Sequence, residues 1–256
     1  MLLAFDIGNS DITAGLWKDN EWKHIWRIPS RPDLPELYFG VKIRDYFFES
    51  GTDLRLVNTI VLSSVVPAMT DKIKSVSRTL FDKDPIVLGP KVYDQLPIDI
   101  LNPFEIGSDL VANAAAAYFK YKKTCIVVDF GTALTFTTIS ASGKILGVSI
   151  APGLKTAIRS LSQNTAKLFD VPLAMPNSAL GKNTVTAIQS GILIGYEGLV
   201  RNMVLKIREE LQEECHAIAT GGLSSIISPL HDFFHAIEPN LTLDGLRIIG
   251  ERVNKN

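Results

Sequence analysis

The sequence is poor in cysteine, in net charge and in long hydrophobic runs. It has two cysteines in 256 residues, Cys125 and Cys215, each in a predicted strand (TCIVVDF and CHAIATGG). In such a chain a buried free thiol is a commoner explanation than a disulfide or a nucleophile. Its formal net charge is −1, so the summed electrostatic field does not favour nucleic acid or an anionic membrane as a partner. We therefore expect a small-molecule partner, with no nucleic acid and no membrane.

Targeting and membrane segments are also missing. The opening residues, MLLAFDIGNS, reach an acid at Asp6 without a basic region or a small-residue cleavage site, so we expect no signal peptide. The apolar stretches have the length of strands, far below the roughly 20 residues of a membrane span. These features predict a cytoplasmic protein, and the 46% hydrophobic content predicts a globular chain with a substantial core.

Two familiar phosphate-binding signatures do not occur. The P-loop pattern G-x-x-x-x-G-K-[ST] is absent, because Gly181-Lys182 is followed by Asn183, and G-x-G-x-x-G is absent as well. A P-loop enzyme and a dinucleotide-binding Rossmann enzyme are therefore disfavoured.

The hydrophobic pattern of the first half alternates between strands and helices. Three short strands separated by turn residues within residues 2–28 predict an antiparallel meander. A helix, a buried strand and a second helix are expected in residues 35–81. The proline-rich segment 84–106 predicts a short strand and a long loop that crosses an active-site cleft, since loops of that length are usually functional. A helix over 107–121 closes this half.

The opening pattern returns near the middle of the chain. CIVVDFGTALTFTTI from Cys125 matches LLAFDIGNSDITAGL from Leu2 as strand, Asp-x-Gly-Asn/Thr, strand. Self-similarity at half the chain length predicts a duplicated fold, with a cleft between two related lobes.

The second copy is expected to continue with the same kinds of element. The sequence predicts a strand at KILGVSIAP, a helix from about 154, a long helix over 184–212, a strand at HAIAT, a helix after Gly222 and a C-terminal helix. The two predicted lobes are residues 1–121 and 122–256.

The turn after the first strand, DIGNS at residues 6–10, has the composition of a phosphate site. Glycine lets the backbone approach a phosphate, Asn and Ser side chains can donate hydrogen bonds, and a strand-end carboxylate can hold hydrated Mg²⁺. A tight β-turn explains one such copy equally well, but the second strand-end aspartate, Asp129, weakens that alternative. The glycine pair in ATGG, residues 219–222, adds a surface against which an adenosine can lie.

Together these three elements resemble the phosphate 1, phosphate 2 and adenosine elements of the actin, sugar-kinase and Hsp70 superfold. The resemblance implies an α/β protein with two similar lobes of the actin-like ATPase (ribonuclease H-like) superfold. Each lobe would contain a mixed β-sheet with helices, with the cleft between the lobes.

Within that superfold, the ordered motifs resemble those of type III pantothenate kinases and extend over essentially the whole chain. Besides residues 6–10 they are Ser63-Ser64-Val65-Val66-Pro67, Asn102-Pro103, Gly107-Ser108-Asp109, Asp129-Phe130-Gly131-Thr132-Ala133, Pro152-Gly153, Gly181-Lys182-Asn183-Thr184 and Thr220-Gly221-Gly222-Leu223.

The resemblance implies a function and its requirements. The reaction is the ATP-dependent phosphorylation of pantothenate at its primary hydroxyl, the first step towards coenzyme A. The implied cofactors are ATP with Mg²⁺ and a monovalent cation, K⁺ or NH₄⁺, and the implied assembly is a homodimer with substrate pockets near its interface. Two alternatives stay open: a kinase of another small hydroxylated substrate, and a diverged paralogue that binds nucleotide as a regulatory protein.

The resemblance also implies roles for individual residues. Asp109 would be the proton acceptor, and Asp129 would bind the monovalent cation. The strand-end carboxylate of Asp6 is expected, from its chemistry, to hold Mg²⁺ through water. For Asp109 the plain alternative is a first-turn carboxylate that stabilises the helix macrodipole. The implied ATP contacts are Asp6, Ile7, Gly8, Asn9, Ser10, Asp11, Ile12, Thr13, Thr132, Gly221 and Gly222. The implied substrate contacts are Ile100, Gly107, Ser108, Asp109, Leu110 and Thr184.

The sequence departs from the family pattern at three positions. The family usually has arginine where Leu110 stands, tyrosine where Ile100 stands and often aspartate where Thr137 stands. An arginine can bind the pantothenate carboxylate with two charge-assisted hydrogen bonds, and leucine can form none, so we expect weaker pantothenate binding unless a nearby cation compensates. The candidate cations are Lys155, Arg159 and Lys182.

Overall fold

Each half of the chain contributes one five-stranded sheet. The structure is a computed structural model and describes residues 1–254. Its contacts divide the chain into unit 1, which comprises residues 1–116 and the C-terminal segment from Thr242, and unit 2, which comprises residues 117–241. The predicted α/β class with two mixed sheets is confirmed.

The sheet of unit 1 is built around its first strand. The strands are β1 (Leu2–Ile7), β2 (Asp11–Lys18), β3 (Glu21–Pro29), β4 (Thr59–Ser64) and β5 (Ile86–Val87), in the order β3-β2-β1-β4-β5. β1 to β3 pair antiparallel, as the meander prediction requires, whereas β4 pairs parallel with β1 and β5 with β4. Nearly every residue of β1 is buried, as expected of a central strand that is covered on both faces.

Four α-helices accompany this sheet in the first half of the chain. They are α1 (Glu36–Glu49), α2 (Pro67–Phe81), the short α3 (Pro90–Tyr93) and α4 (Ser108–Tyr121). α1 buries Phe39, Ile43 and Phe47, whose four-residue spacing places them on one side of the helix. Pro67 opens α2 at a position where the missing N–H is not needed.

The sheet of unit 2 repeats the connections of the first sheet. Its strands are β6 (Cys125–Phe130), β7 (Ala133–Ile139), β8 (Ile145–Pro152), β9 (His216–Thr220) and β10 (Ala236–Ile237), in the order β10-β9-β6-β7-β8. β6, β7 and β8 form the antiparallel meander, and β9 and β10 add in parallel. Each strand therefore has a counterpart in unit 1, as the internal repeat predicted.

The helices of unit 2 are α5 (Leu154–Asn164), α6 (Thr184–Gln189) and α7 (Gly195–Leu211). A π-helical turn, Ser190–Ile194, joins α6 to α7, so the predicted long helix over 184–212 consists of three consecutive segments. Asn183 caps α6 because its side chain accepts a hydrogen bond from the Thr186 N–H at 2.9 Å. Within residues 1–254 no helix has the length and apolarity needed to cross a membrane.

Two local predictions are wrong. The segment after Gly222 forms turns and a 3₁₀ turn, Ser228–Leu230, rather than a helix. Its serine pair competes for backbone hydrogen bonds and Pro229 cannot continue a helix, which explains the difference. Cys215, predicted in a strand, lies just before β9.

Both cysteines are free and buried, as predicted. Burial raises the pKa of the Cys125 thiol to about 12, so this thiol is a poor nucleophile.

The C-terminal helix, α8 (Leu241–Val253), belongs by its contacts to unit 1. A methyl group on Gly245 would overlap the backbone of Ala112 in α4, so only glycine allows this close approach. Asp244 accepts a hydrogen bond from the Trp22 indole N–H at 2.8 Å. The lobes 1–121 and 122–256 remain a prediction about the duplicated halves, and the compact units differ from them at residues 117–121 and in the C-terminal segment from Thr242.

Candidate active site

The turn between β1 and β2 is exposed at its tip and closed by one backbone hydrogen bond. The Gly8 N–H donates to the Asp11 carbonyl at 3.0 Å. Asn9, Ser10 and Asp11 are exposed, whereas Asp6 lies half-buried at the end of β1. The turn thus presents an amide, a hydroxyl and backbone N–H groups beside a carboxylate, which is the chemistry that a phosphate and a hydrated cation need.

Some of the residues predicted to contact the nucleotide have side chains that a ligand cannot reach. Ile7 and Ile12 are fully buried in the core of unit 1, so only their backbone groups could meet a ligand. Thr13 lies opposite Asp6 on the neighbouring strand and is half-buried.

Asp109 is the second residue of α4, and its side chain folds back over the start of the helix. Its Oδ1 accepts a hydrogen bond from the Leu110 N–H at 2.8 Å. Oδ1 also occupies the space that a side chain at Gly107 would need, so the glycine permits this position of the carboxylate. Burial raises the pKa of the Asp109 carboxyl, against the opposing effect of backbone hydrogen bonds from Leu110 and from its own N–H. A raised pKa makes the carboxylate a stronger proton acceptor.

Serine hydroxyls tie the start of α4 to the end of β4. The Ser108 Oγ lies 2.9 Å from the Ser63 Oγ and accepts a hydrogen bond from the Ser64 N–H at 3.0 Å. Ser63 is fully buried and lies opposite Asp6 in the β1–β4 register. Sequence reasoning placed Ser63 in a family motif but gave it no role.

The proline-rich loop contributes a residue that sequence reasoning missed. Tyr93, at the end of α3, is buried, and burial together with the charge of Asp109 raises its pKa to about 12. Ile100 is half-buried, and Leu110 is 7% exposed, so the Leu110 side chain belongs to the core. The sequence signal that could have identified Tyr93 was the presence of an aromatic residue within the proline-rich loop.

In unit 2, Asp129 lies between two threonines on one face of the sheet. Thr135 is its partner on β7 and Thr220 its partner on β9. The Oγ1 atoms of both threonines are buried and have no hydrogen-bond partner within the described chain. Gly221 has a φ of +90°, and a side chain there would overlap Asp129 Oδ1, so this position requires glycine. Such buried hydroxyls can be satisfied by an ordered water or by a bound ion.

The turn after β6 is tighter than its counterpart in unit 1. The Gly131 N–H donates to the Ala133 carbonyl at 3.1 Å. The Thr132 carbonyl accepts hydrogen bonds from the Gly153 N–H at 3.0 Å and from the Thr156 hydroxyl at 2.7 Å. These contacts fix the backbone at Thr132, the predicted ATP contact.

Thr184 lines a cavity of about 560 Å³ in unit 2. Lys182 is the charged residue of that lining, and neither Lys155 nor Arg159 belongs to it. The other lining residues are mostly apolar: Leu161, Leu168, Gly181, Asn183, Ala187, Ile188, Gly191 and Ile192. The cavity has the size and character of a small-molecule site.

The motifs and their geometry agree with a comparison against known families. A family model for type III pantothenate kinase matches residues 2–206. The chain belongs to the type III pantothenate kinase family. The type III pantothenate kinase of Geobacter sulfurreducens is 38% identical over 98% of this chain and 99% of its own length. That of Syntrophobacter fumaroxidans is 39% identical over 100% of both. The predicted family is therefore confirmed.

Solved structures similar to this chain agree with the predicted fold of two mixed sheets with helices. A Campylobacter jejuni protein assigned to a Baf family of transcriptional activators gives a TM-score of 0.61 at 20% identity, over 99% of this chain and 100% of its own. MreB5 of Spiroplasma citri bound to ADP gives 0.55 at 10% identity, over 100% and 97%. At such identities the likeness shows the fold alone.

Proposed function

We propose that this chain transfers the γ-phosphoryl group of ATP to the primary hydroxyl of pantothenate, the first step of coenzyme A synthesis, with Asp109 as proton acceptor. The hydroxyl oxygen forms a bond to the γ-phosphorus, the bond to the ADP oxygen breaks, and the hydroxyl proton passes to the carboxylate. The observation that carries the proposal is the Asp109 carboxylate, fixed by the Leu110 N–H over Gly107.

The nucleotide is proposed to meet the two Asp-x-Gly turns and the glycine pair. The exposed side chains of Asn9, Ser10 and Asp11 and the backbone of residues 7–13 support the first contact. The fixed backbone at Thr132 supports the second. The left-handed backbone at Gly221 supports the contact with adenosine.

The residues present fit the two cations of the family. Asp6 is a strand-end carboxylate, and residues 1–254 contain no cluster of three or more His, Cys, Asp or Glu side chains that could hold a metal ion. A single carboxylate such as that of Asp6 suits Mg²⁺, because this ion keeps several waters and takes phosphate oxygens as ligands. Asp129 with the buried Thr135 and Thr220 hydroxyls offers oxygen ligands to K⁺ or NH₄⁺. When bound, both cations offset the charge of the transferring phosphoryl group.

Lys182 is the proposed partner of the pantothenate carboxylate. Leu110 is buried and cannot replace the family's arginine, whereas Lys182 lines the same cavity as Thr184. The apolar lining suits the dimethyl and methylene groups of pantothenate. We expect Lys182→Ala to raise the KM for pantothenate roughly 10- to 200-fold, since a hydrogen bond to a charged group is worth about 1.5 to 3 kcal/mol. Lys155→Ala on α5 is the matched control, and an equal effect of both variants would contradict this role.

A homodimer is proposed on the strength of apolar surface in unit 2. Ile150 and Leu180 are 70% and 81% exposed, and Phe169 is exposed as well. Side chains of this size are candidates for burial against a second copy. Sedimentation analysis is expected to give twice the mass of the chain. The cytoplasm, where ATP and both cations are plentiful, is the proposed location.

The test of the function is an assay of the purified protein with ATP, Mg²⁺, K⁺ and pantothenate. Formation of 4′-phosphopantothenate is the expected result. Turnover of another hydroxylated compound instead would favour the alternative kinase. Nucleotide binding without any turnover would favour the regulatory paralogue.

A further inference from the structure

A buried hydroxyl outside the predicted site residues lies beside the proposed base. Ser63, the fifth residue of β4, is fully buried. Its Oγ lies 2.9 Å from the Oγ of Ser108, the residue that precedes Asp109 at the start of α4. A buried polar side chain is tolerated only where it forms hydrogen bonds, so the pair joins the strand to the helix.

The number of protons and lone pairs decides the direction of this bond. The Ser108 Oγ accepts from the Ser64 N–H at 3.0 Å and donates to the Ser64 carbonyl at 3.2 Å. A serine hydroxyl has one proton and two lone pairs. The arrangement that satisfies all three contacts of Ser108 therefore has Ser63 donating to Ser108. All of the hydrogen-bonding capacity of Ser108 is then used to hold the start of α4 on β4.

Ser63 also lies beside β1, the strand that leads into the first Asp-x-Gly turn. Ser63 lies directly opposite Asp6 in the parallel β1–β4 register. A displacement of Ser108 would move the backbone of Asp109, whose carboxylate is held by the adjacent Leu110 N–H. Ser63 thus connects the strand pair that carries Asp6 to the helix that carries Asp109.

We propose that Ser63 is a positioning residue for the phosphoryl transfer and keeps the Asp109 carboxylate in its reactive place through Ser108. This inference rests on the proposed function, because it takes Asp109 as the base. Because Ser63 is fully buried, the role proposed for it needs no contact with a substrate.

The test compares two buried serines of unit 1. Ser63→Ala is expected to lower kcat roughly 10- to 100-fold, the size of effect that a displacement of about 1 Å causes, with the KM for ATP unchanged. Ser77→Ala is the matched control: Ser77 is fully buried too, but its hydroxyl donates to the Ile73 carbonyl within α2 at 2.7 Å. Ser77→Ala is expected to keep wild-type kcat. Equal kcat in both variants would overturn the proposal.

A double-mutant cycle separates positioning from general loss of structure. In an Asp109→Asn background, Ser63→Ala is expected to cause no further loss of kcat, because the base that it positions is gone. A loss of the same size in both backgrounds would overturn the proposal. Ser63→Cys, which keeps a weak donor, is expected to fall between wild type and Ser63→Ala, and a kcat at or below that of Ser63→Ala would count against it.

The same variants distinguish a wrong assignment of the base from a wrong assignment of the positioning role to Ser63. If Asp109→Asn alone retains wild-type turnover, the assignment of the base fails. If Asp109→Asn lowers kcat as expected and Ser63→Ala behaves like Ser77→Ala, only the positioning role fails.

Discussion

The two units differ in the hydrogen bonding of the hydroxyl residue that lies beside the aspartate of the central strand. In unit 1, Asp6 on the central strand lies beside Ser63 on the parallel neighbour, and in unit 2 Asp129 lies beside Thr220 in the corresponding place. The Ser63 hydroxyl is bonded to another side chain, whereas the Thr220 hydroxyl has no hydrogen-bond partner in residues 1–254. Because a buried hydroxyl without a partner costs free energy, we expect the hydroxyl in unit 1 to stabilise the folded protein and the one in unit 2 to destabilise it when no ligand is bound.

The largest effect on kcat is expected for Asp109, the proposed base, which lies in unit 1. Asp109→Asn should lower kcat about 10² to 10⁴-fold, since a positioned base contributes that much. Steady-state kinetics with pantothenate and ATP would measure it. Turnover close to wild type would mean that unit 1 does not carry the base.

The same variant should change stability in a pH-dependent way. Burial raises the folded-state pKa of Asp109, so the folded protein binds this proton more tightly than the unfolded chain does. That contribution to stability is present below the unfolded pKa and is lost as pH rises through the folded pKa. Asp109→Asn, which stays neutral, should therefore be more stable than wild type in urea at neutral pH, and the difference should shrink on acidification.

The second effect concerns the glycine against which Asp129 packs. Gly221→Ala should lower kcat in K⁺ roughly 10- to 100-fold, because the added methyl group would overlap the Asp129 carboxylate and the adjacent Phe130 backbone and so displace the carboxylate. The response to K⁺ over a sodium background should be lost as well. Gly51→Ala is the control: Gly51 has a φ of +64°, but a methyl group there meets nothing within 4 Å. A similar loss in both variants would indicate backbone strain rather than displacement of Asp129.

The third effect tests the comparison directly through stability. Without ligands, Thr220→Val should raise the free energy of unfolding by about 1 kcal/mol, because it removes a buried hydroxyl that lacks a partner. Ser63→Ala should lower it by about 1 kcal/mol, because it removes a hydrogen bond. Urea titrations of both variants would measure the two signs. Thr137→Val removes another buried hydroxyl without a partner, on β7, and is the control for Thr220→Val. If Thr220→Val lowers the free energy of unfolding, the contrast between Ser63 and Thr220 is wrong.

The smallest effect concerns a histidine pair found in unit 2. The rings of His216 and His235 stack with their centres 3.7 Å apart. Burial lowers the pKa of His216, as do the charges of His235, Lys123 and Arg208. A lowered pKa gives stability that is present above the unfolded value, near 6.5, and is lost as pH falls below it.

We therefore expect His216→Gln to reduce the loss of stability between neutral pH and about pH 5. Thermal unfolding across this range would measure it. His24→Gln on β3 of unit 1 controls for the loss of a histidine as such. An unchanged pH dependence in His216→Gln would remove the pair from this role.

Local patterns in the sequence were sufficient for the sheets and for the motif residues. The meander of β1 to β3, its repeat from β6 to β8, and the strand-end positions of Asp6 and Asp129 follow from alternation and turn residues. The helix predicted after Gly222 failed because apolar spacing was given more weight than the serine pair and Pro229. The residue roles inferred from the family resemblance stay predictions until they are tested.

Contacts between residues far apart in the chain could not be predicted from the sequence. The bond from Ser63 to Ser108 joins residues 45 positions apart, and no periodicity reports such a pair. The burial of Leu110 and the effect of Asp109 on Tyr93 also depend on how separate segments pack. The same holds for the Thr135 and Thr220 hydroxyls, which become notable only when three strands are aligned.

The packing of α8 on α4 has a consequence for biosynthesis. Unit 2 is one continuous stretch of polypeptide, whereas unit 1 is completed by a helix that the ribosome makes after unit 2. Domains commonly fold in the order of their synthesis, but here the N-terminal unit has to wait for its last helix. Until Gly245 lies against Ala112, the helix that bears Asp109 lacks one of its packing partners. A nascent chain that has not yet been translated through α8 therefore lacks a fully packed α4, the helix that carries the proposed base.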